Sequence, residues 1–304
     1  MNMFSKPRHE STELIILRYL NKRMILSEKD LLHLASLEKG YAGELIFDSW
    51  LERKLPNKFL VLSDLLLECN NTTFQIDSLV ISPDPVYMFE VKNFEGDYVI
   101  KADKWYVRNG IEIQDPVLQL KRSETLLRKL LQQNGFQCTI EAYVVFVNPE
   151  FYLYQAPTNL PIIYPSQINR MLDKIKTNTL TPRERDYKLD SQLNSLHIVD
   201  SPYKRLPLYS YEQLKKGITC EKCSSFQVLY VNKLVVCTVC NHKEMAAKAV
   251  LRSVEEFRVL FPEKRISIDN IFNWCQIIDS KRTITTFLSA NLHKVNHSRY
   301  TYFL

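Results

Sequence analysis

The sequence predicts an α/β fold in which helices flank a mixed β-sheet, followed by a smaller C-terminal region with short helices. The order of the predicted elements indicates the first part: a helix, three strands, minor strands, a second helix and a further strand. Two Cys-x-x-Cys pairs in the last third of the chain set the second part apart. Two acids and a lysine on neighbouring predicted strands indicate where the chemistry lies.

Composition limits the functional classes. The 304 residues suggest about two domains, and 45% hydrophobic with 24% charged residues is typical of a globular chain. No apolar run reaches the roughly 18 residues of a membrane span, and residues 1–30 lack the apolar core of a signal peptide. We therefore expect a cytoplasmic protein without membrane contact. The net charge of +6 permits a polyanionic partner. The six glycines form no phosphate-binding loop motif, which argues against P-loop or Rossmann chemistry.

The central feature is a predicted hairpin of Gln75–Ile81 and Val86–Lys92. Its strands are rich in β-branched and aromatic residues, with turn residues between them. Because side chains alternate along a strand, Glu90 and Lys92 should point to one face. Asp77 should share its face with apolar neighbours, where an unpaired carboxylate costs several kcal/mol or shifts its pKa. A bound metal ion would remove that cost.

Two predicted helices add polar groups. A helix from Glu38 to Leu55 places Glu44 on the same face as Phe47 and Leu51, although a glutamate at the edge of such a stripe can also extend to water. A second helix covers residues 114–133, with Asp115 as N-cap.

On this second helix, Gln119 and Arg122 continue the apolar stripe of Leu126 and Leu130 towards the helix start. We expect both polar side chains to reach the site.

These residues resemble a known family. A glutamate on the first helix, Gln75-Ile76-Asp77, a Glu-x-Lys on the next strand and a glutamine on the following helix are similar to the nuclease-related domain of the PD-(D/E)xK superfamily. The resemblance covers residues 38 to about 147. It implies a restriction-endonuclease-like sheet and a site formed by Glu44, Asp77, Glu90, Lys92 and Gln119.

By this resemblance, Asp77 and Glu90 bind Mg²⁺ or Mn²⁺ beside the carbonyl of Val91, and Lys92 orients or activates the attacking water. Phosphodiester hydrolysis needs an activated water and neutralisation of the charge on the pentavalent phosphorus, and oxygen-ligated Mg²⁺ on one or two carboxylates supplies both. The plain alternative is a surface ion pair at the end of an edge strand, worth under about 1 kcal/mol.

The last third of the chain has the cysteine spacing of a zinc ribbon. Cys220-x-x-Cys223 is separated by thirteen residues from Cys237-x-x-Cys240, with a predicted hairpin between. Four thiolates close a tetrahedral site, so the zinc should be structural. A redox pair or an iron–sulfur site remains an alternative. Two Cys-x-x-Cys pairs and three isolated cysteines fit one metal site in a protein of a reducing compartment better than a fold stabilised by disulfides.

The final segment favours contact with nucleic acid. From Asn241 onward there are ten Lys and Arg against six Asp and Glu, and two short helices with a terminal strand resemble a winged helix-turn-helix. A helical cap over the ribbon is the equal alternative. The candidate phosphate contacts are Lys281, Arg282, Lys294 and Arg299.

We expect a metal-dependent nuclease acting on nucleic acid, with DNA as the favoured substrate. The alternative is a non-catalytic nucleic-acid-binding or regulatory protein that uses the nuclease fold as a platform. The oligomeric state is not predicted. The predicted domains are an N-terminal helical segment (1–37), the nuclease-like domain (38–150), an extension and linker (151–212), the ribbon with its helix (213–262) and a small helical module (263–304).

Overall fold

A computed structural model describes residues 3–177, 181–297 and 300–304. Its helices are α1 Thr12–Arg23, α2 Glu28–Lys54, α3 Pro116–Gln133, α4 Ile168–Lys176, α5 Glu184–Leu196, α6 Ala246–Leu260, α7 Ile268–Cys275 and α8 Lys281–Asn291. None of these helices has both the length and the apolar character needed to cross a membrane. The chain forms two compact units, Met1–Glu10 with Ala35–Tyr203 and Ser11–Leu34 with Lys204–Leu304.

The strands of the first unit form two sheets. These strands are β1 Phe4–Lys6, β2 Leu60–Cys69, β3 Thr72–Ile81, β4 Val86–Lys92, β5 Gly96–Lys101, β6 Lys104–Val107, β7 Glu112–Ile113, β8 Ile140–Phe146, β9 Phe151–Tyr154 and β10 Ile162–Ile163. The larger sheet has the order β1-β2-β3-β4-β8-β10 and mixes parallel and antiparallel pairs. The smaller has the order β7-β6-β5-β9. The predicted α/β fold with a mixed sheet is confirmed.

Each face of the larger sheet packs against its own apolar layer. Phe47 and Leu51 of α2 and Ile168 of α4 pack with one side of the strands. The other side packs with α3, α5 and the smaller sheet, in a cluster that includes Leu127 and Trp105. Strand β4 divides as period-two alternation predicts: Met88 lies in the second cluster, while Tyr87, Phe89 and Val91 lie in the first. The main sheet is therefore buried on both faces.

At one shared point, the side-chain alternation of strands β2 and β3 shifts by one residue, so that each strand switches the residues that face a given side of the sheet. Phe74 and Ile76 lie in the same cluster as Leu79 and Ile81, so strict alternation breaks between them. The antiparallel register runs through the pairs on either side but contains no pair between Asp64 and Asp77. Asp64 has a φ of 55°, the left-handed backbone region that Asp tolerates better than most residues. We call this point the ladder gap.

The first long helix is longer than the sequence predicts. A start near Glu38 is wrong: α2 is one continuous helix of 27 residues from Glu28, and Ser27 Oγ accepts a hydrogen bond from the backbone N–H of Asp30 at 3.2 Å. Ser27 is thus an N-cap, as its position before an apolar run indicates. Gly40 and Gly43 both lie inside the helix.

The second unit holds the cysteine pairs. Its strands are β11 Val228–Val231, β12 Leu234–Cys237, β13 Lys243–Met245, β14 Lys294–His297 and β15 Tyr300–Phe303. The first three form one antiparallel sheet and the last two a hairpin. Asn232 and Lys233 both have positive φ, which suits the tight turn between β11 and β12. Arg23 of α1 is fully buried and forms a fork with Glu256 of α6, with N···O distances of 2.8 and 2.6 Å.

Candidate functional site

Strand β4 and helix α3 of the first unit bring the Glu-x-Lys pair together with Gln119. Glu90 and Lys92 lie two residues apart on β4, so they project to the same side. Lys92 Nζ lies 2.7 Å from Glu90 Oε1 and 3.1 Å from Gln119 Oε1 on α3. The expectation that Gln119 reaches this point is confirmed by the hydrogen bond. Arg122 of the same helix is exposed. The buried stripe of α3 includes Leu120 and Leu127, one position away from the predicted stripe.

Asp77 is buried at the ladder gap. The residue has no pairing partner on β2. Its side chain contacts β4 instead, where Oδ2 accepts a hydrogen bond from the Val91 N–H at 2.7 Å. The residue is 7% exposed and Glu90 is 2% exposed. Two carboxylates and one ammonium therefore meet where β3 and β4 lie side by side.

Glu44 approaches from helix α2 with a partner that the sequence did not indicate. Arg8 Nη1 donates to Glu44 Oε2 at 2.5 Å, and the same guanidinium binds both oxygens of Asp48 at 2.8 and 3.1 Å. Arg8 Nη2 also donates to Ser78 Oγ at 3.0 Å. Asp48 lies one helical turn beyond Glu44, a same-face spacing that could have revealed it. For Arg8, which lies in a polar stretch without periodicity, no sequence signal exists.

A close backbone approach sets the position of Glu44. A Cβ atom on Gly43 would lie 2.5 Å from Asn93 Cβ, closer than real Cβ contacts allow. Asn93 follows Lys92 directly, and its Nδ2 donates to the Lys39 carbonyl at 2.8 Å. The absence of a side chain at Gly43 thus lets α2 lie against the end of β4, which brings Glu44 to the strand that carries Glu90.

Burial makes the negative charges in this site costly. Desolvation, and then the charge of Asp77, raise the pKa of Glu90 to about 7, although Lys92 lowers it. The same two causes raise the pKa of Glu44 to about 8 against the effect of Arg8. Burial also raises the pKa of Asp77, despite Lys92 and the Val91 N–H. The three acids therefore lack enough positive charge nearby to ionise at their ordinary pKa values.

This donor set fits a hard divalent cation. Asp77 and Glu90 offer carboxylate oxygens, the ligands that Mg²⁺ and Mn²⁺ prefer, and a bound cation would offset their desolvation. Glu44 is held by Arg8. Within the described part of the chain, no group of three Asp, Glu, His or Cys other than the cysteines described below forms a metal-binding cluster. Glu44, Asp77 and Glu90 therefore do not form a three-ligand cluster of this kind in the described chain.

Residues 39–147 match the family described as the nuclease-related domain. The chain contains a nuclease-related domain. This match begins within α2, ends after β8 and includes Glu44, Asp77, Glu90, Lys92 and Gln119. Searches of curated proteins and of solved structures found no match.

Outside the nuclease-related domain, four cysteines form a second candidate site. The Sγ atoms of Cys220, Cys223, Cys237 and Cys240 all lie within 4.8 Å of one another, and none of the four is in a disulfide. Two of these pairs are 3.6 Å apart. Thiolates about 2.3 Å from a tetrahedral Zn²⁺ lie about 3.8 Å apart, so the cluster has the size of a zinc site. The predicted ribbon geometry is compatible with this cluster.

Three of the four predicted phosphate contacts lie in the described residues, and all three are exposed. Lys281 and Arg282 begin α8 and are exposed, and Lys281 Nζ lies 2.5 Å from Asp269 of α7. Lys294 is exposed at the start of β14. Arg299 lies outside the described residues. In this segment α7 and α8 are followed by the hairpin of β14 and β15, where the sequence predicts a single terminal strand.

Proposed function

We propose that the nuclease-related domain is a metal-dependent nuclease that hydrolyses phosphodiester bonds in nucleic acid, with DNA as the expected substrate. The observation that supports this most is the meeting of Asp77, Glu90 and Lys92 where β3 and β4 pair. Each acid is nearly fully buried and has a raised pKa. Such perturbed groups, gathered from separate elements, are characteristic of catalytic sites.

In the proposed site, Asp77 and Glu90 hold Mg²⁺ or Mn²⁺. The bound cation would neutralise charge on the phosphate and lower the pKa of a coordinated water. Both carboxylates are fixed by the chain itself: Asp77 by the Val91 N–H and Glu90 by Lys92. They therefore require little reorganisation on binding.

Lys92 has the proposed role of orienting the attacking water or the scissile phosphate. Its ammonium has three N–H donors, and the two bonds to Glu90 and Gln119 leave one for a ligand. The side chain of Lys92 is 19% exposed, whereas that of Glu90 is only 2% exposed. Solvent thus reaches the ammonium, and Gln119 holds it in place from α3.

We infer that the four clustered cysteines bind structural Zn²⁺. A ligand set of four thiolates leaves no position open for substrate. Free thiolates are maintained in a reducing compartment, in agreement with the cytoplasmic location predicted from the sequence. The exposed cations Lys281, Arg282 and Lys294, together with Arg299, are the proposed phosphate contacts of this region.

The proposed activity is tested with the full chain and four nucleic-acid forms: supercoiled and linear duplex DNA, single-stranded DNA, and RNA. Cleavage that requires Mg²⁺ or Mn²⁺ and is lost in Asp77→Asn and Glu90→Gln supports the proposal. The matched control is Glu68→Gln, an equally conservative change at an exposed position of β2, which should cleave like wild type.

A different result would identify the alternative function. Nucleic-acid binding without cleavage, unchanged in Asp77→Asn, contradicts catalysis and supports a binding platform. If that affinity resides in the second unit, neutralising Lys281 and Arg282 should lower it and flatten its salt dependence.

A further inference from the structure

Arg8 is a buried arginine whose contacts all lie around the proposed nuclease site. It follows strand β1 by two residues, and its side chain is only 2% exposed. Its guanidinium reaches Glu44 and both oxygens of Asp48 on α2, and it reaches Ser78 Oγ and the Asp77 carbonyl on β3. One side chain thus connects the helix that carries Glu44 with the strand that carries Asp77.

The ladder gap explains why such a connection is needed. Because Asp77 lacks a strand partner at Asp64, its buried carbonyl has no ladder hydrogen bond, and Arg8 Nη2 donates to it at 2.6 Å. Lys6 does the same for the opposite strand, donating to the carbonyls of Ser63 and Asp64 at 2.8 Å each. A buried carbonyl without a donor costs about 1–3 kcal/mol. Residues 4–8 therefore stabilise the irregular backbone from which the Asp77 side chain projects.

The chemistry of these contacts is specific to arginine. A planar fork can bind a carboxylate with two nitrogens while a third nitrogen reaches another acid. A lysine ammonium has the same charge but cannot reproduce this spread. The burial of Arg8 also excludes direct contact with a substrate.

We propose that Arg8 is a positioning residue of the nuclease site: it sets the place of Glu44 and of the Asp77 backbone, and through them the geometry of the cation site. This inference rests on the proposed function. It assigns a role to a residue outside the segment that matches the nuclease-related domain.

The test is Arg8→Lys in the full chain, which keeps the charge and removes the fork. Mn²⁺ affinity is measured by titration calorimetry, and the Mg²⁺ dependence of cleavage is measured together with kcat and KM. We expect Mn²⁺ affinity and kcat to fall roughly 10- to 100-fold, as is typical when a residue supporting a metal ligand is lost. KM for nucleic acid should stay near the wild-type value, because Arg8 does not touch it.

Arg23→Lys is the matched control. Arg23 is also buried and also forms a fork with a carboxylate, that of Glu256, but it lies in the other unit. The Arg23→Lys substitution should lower the thermal stability of the protein and leave its Mn²⁺ affinity and kcat unchanged. Asp48→Asn is the second variant, because it weakens the hold on Arg8 while every other site residue remains. It should shift Mn²⁺ affinity in the same direction by a smaller factor, which keeps the test decisive if Arg8→Lys does not fold.

The outcomes separate the two proposals. If the wild type binds Mn²⁺ and cleaves, and both Arg8→Lys and Asp48→Asn have the wild-type Mn²⁺ affinity and kcat, the proposed role of Arg8 is overturned. The proposed function is not affected by that result. A wild type that neither binds Mn²⁺ nor cleaves would overturn the proposed function and this inference with it. If Arg23→Lys loses as much Mn²⁺ affinity as Arg8→Lys, the loss reflects general instability of the protein. That result would also overturn the proposed role of Arg8.

Discussion

The affinity of the nuclease site for Mn²⁺ should depend on the ionisation of Glu90. With a pKa of about 7, Glu90 is mostly protonated at pH 6 and mostly ionised at pH 8. Since the cation competes with the proton, affinity should rise about tenfold between about pH 6 and about pH 8 from this carboxylate alone. Any contribution from Glu44, whose pKa is about 8, would add to the same trend.

The free energy of unfolding without added cation should move in the opposite direction. The pKa of Glu90 is raised from 4.5 to about 7, so the folded state binds more protons than the unfolded state between these two pH values. Its contribution to stability is therefore fully present below about pH 4.5 and is lost as the pH rises through about 7. A shift of this size corresponds to about 3 kcal/mol, which the bound cation should restore at the higher pH.

Titration calorimetry at three pH values and constant ionic strength measures the first effect, and urea unfolding with and without Mn²⁺ measures the second. Glu90→Gln is the decisive comparison, because it cannot titrate. In that variant Mn²⁺ should bind weakly, and its pH dependence should lose the tenfold part assigned to Glu90. Affinity that is independent of pH in the wild type, or an equally steep dependence in Glu90→Gln, would refute this reasoning.

Three further outcomes are expected. Gly43→Ala should destabilise the protein by roughly 1–3 kcal/mol, because the added methyl group would overlap Asn93. Gly40→Ala, with open space around the added methyl group, should stabilise the protein by roughly 0.5–1 kcal/mol. Urea unfolding of both variants measures these changes. Cys220→Ser should release zinc and lower the melting temperature, measured by elemental analysis and calorimetry; protein that contains no zinc when purified would contradict the cluster's proposed role. Lys92→Met should abolish cleavage while the protein still binds nucleic acid, and a wild-type kcat in this variant would exclude Lys92 from the reaction.

The sequence predicted those parts of the site that follow simple periodicity. Glu90 and Lys92 share a side because alternation along β4 is regular, and Phe47 and Leu51 are buried with Glu44 at the edge of their stripe because α2 is a regular helix. The glutamine of α3 was also placed correctly. These features require only local geometry, which is encoded within a few residues.

The rest depends on non-local contacts. The ladder gap requires a left-handed backbone at Asp64, a residue that reads as an ordinary strand position. Arg8 reaches its partners over 36 to 70 residues of sequence, and no spacing rule connects them. The predicted start of α2 was ten residues too late, and Gly43 inside this helix is needed for a close contact with Asn93 that the sequence does not reveal.

Strand β1 has a practical consequence for anyone who wishes to study the nuclease-related domain in isolation. A fragment cut at residues 39 and 147 would lack the parallel partner of β2, with its pairs Phe4 to Val61 and Lys6 to Leu62, and also β10 beside β8. Both sheet edges would then carry unpaired N–H and C=O groups, which invite edge-to-edge aggregation. Insolubility or inactivity of such a fragment would reflect the choice of its ends, and a fair assay requires the edge strands to be present.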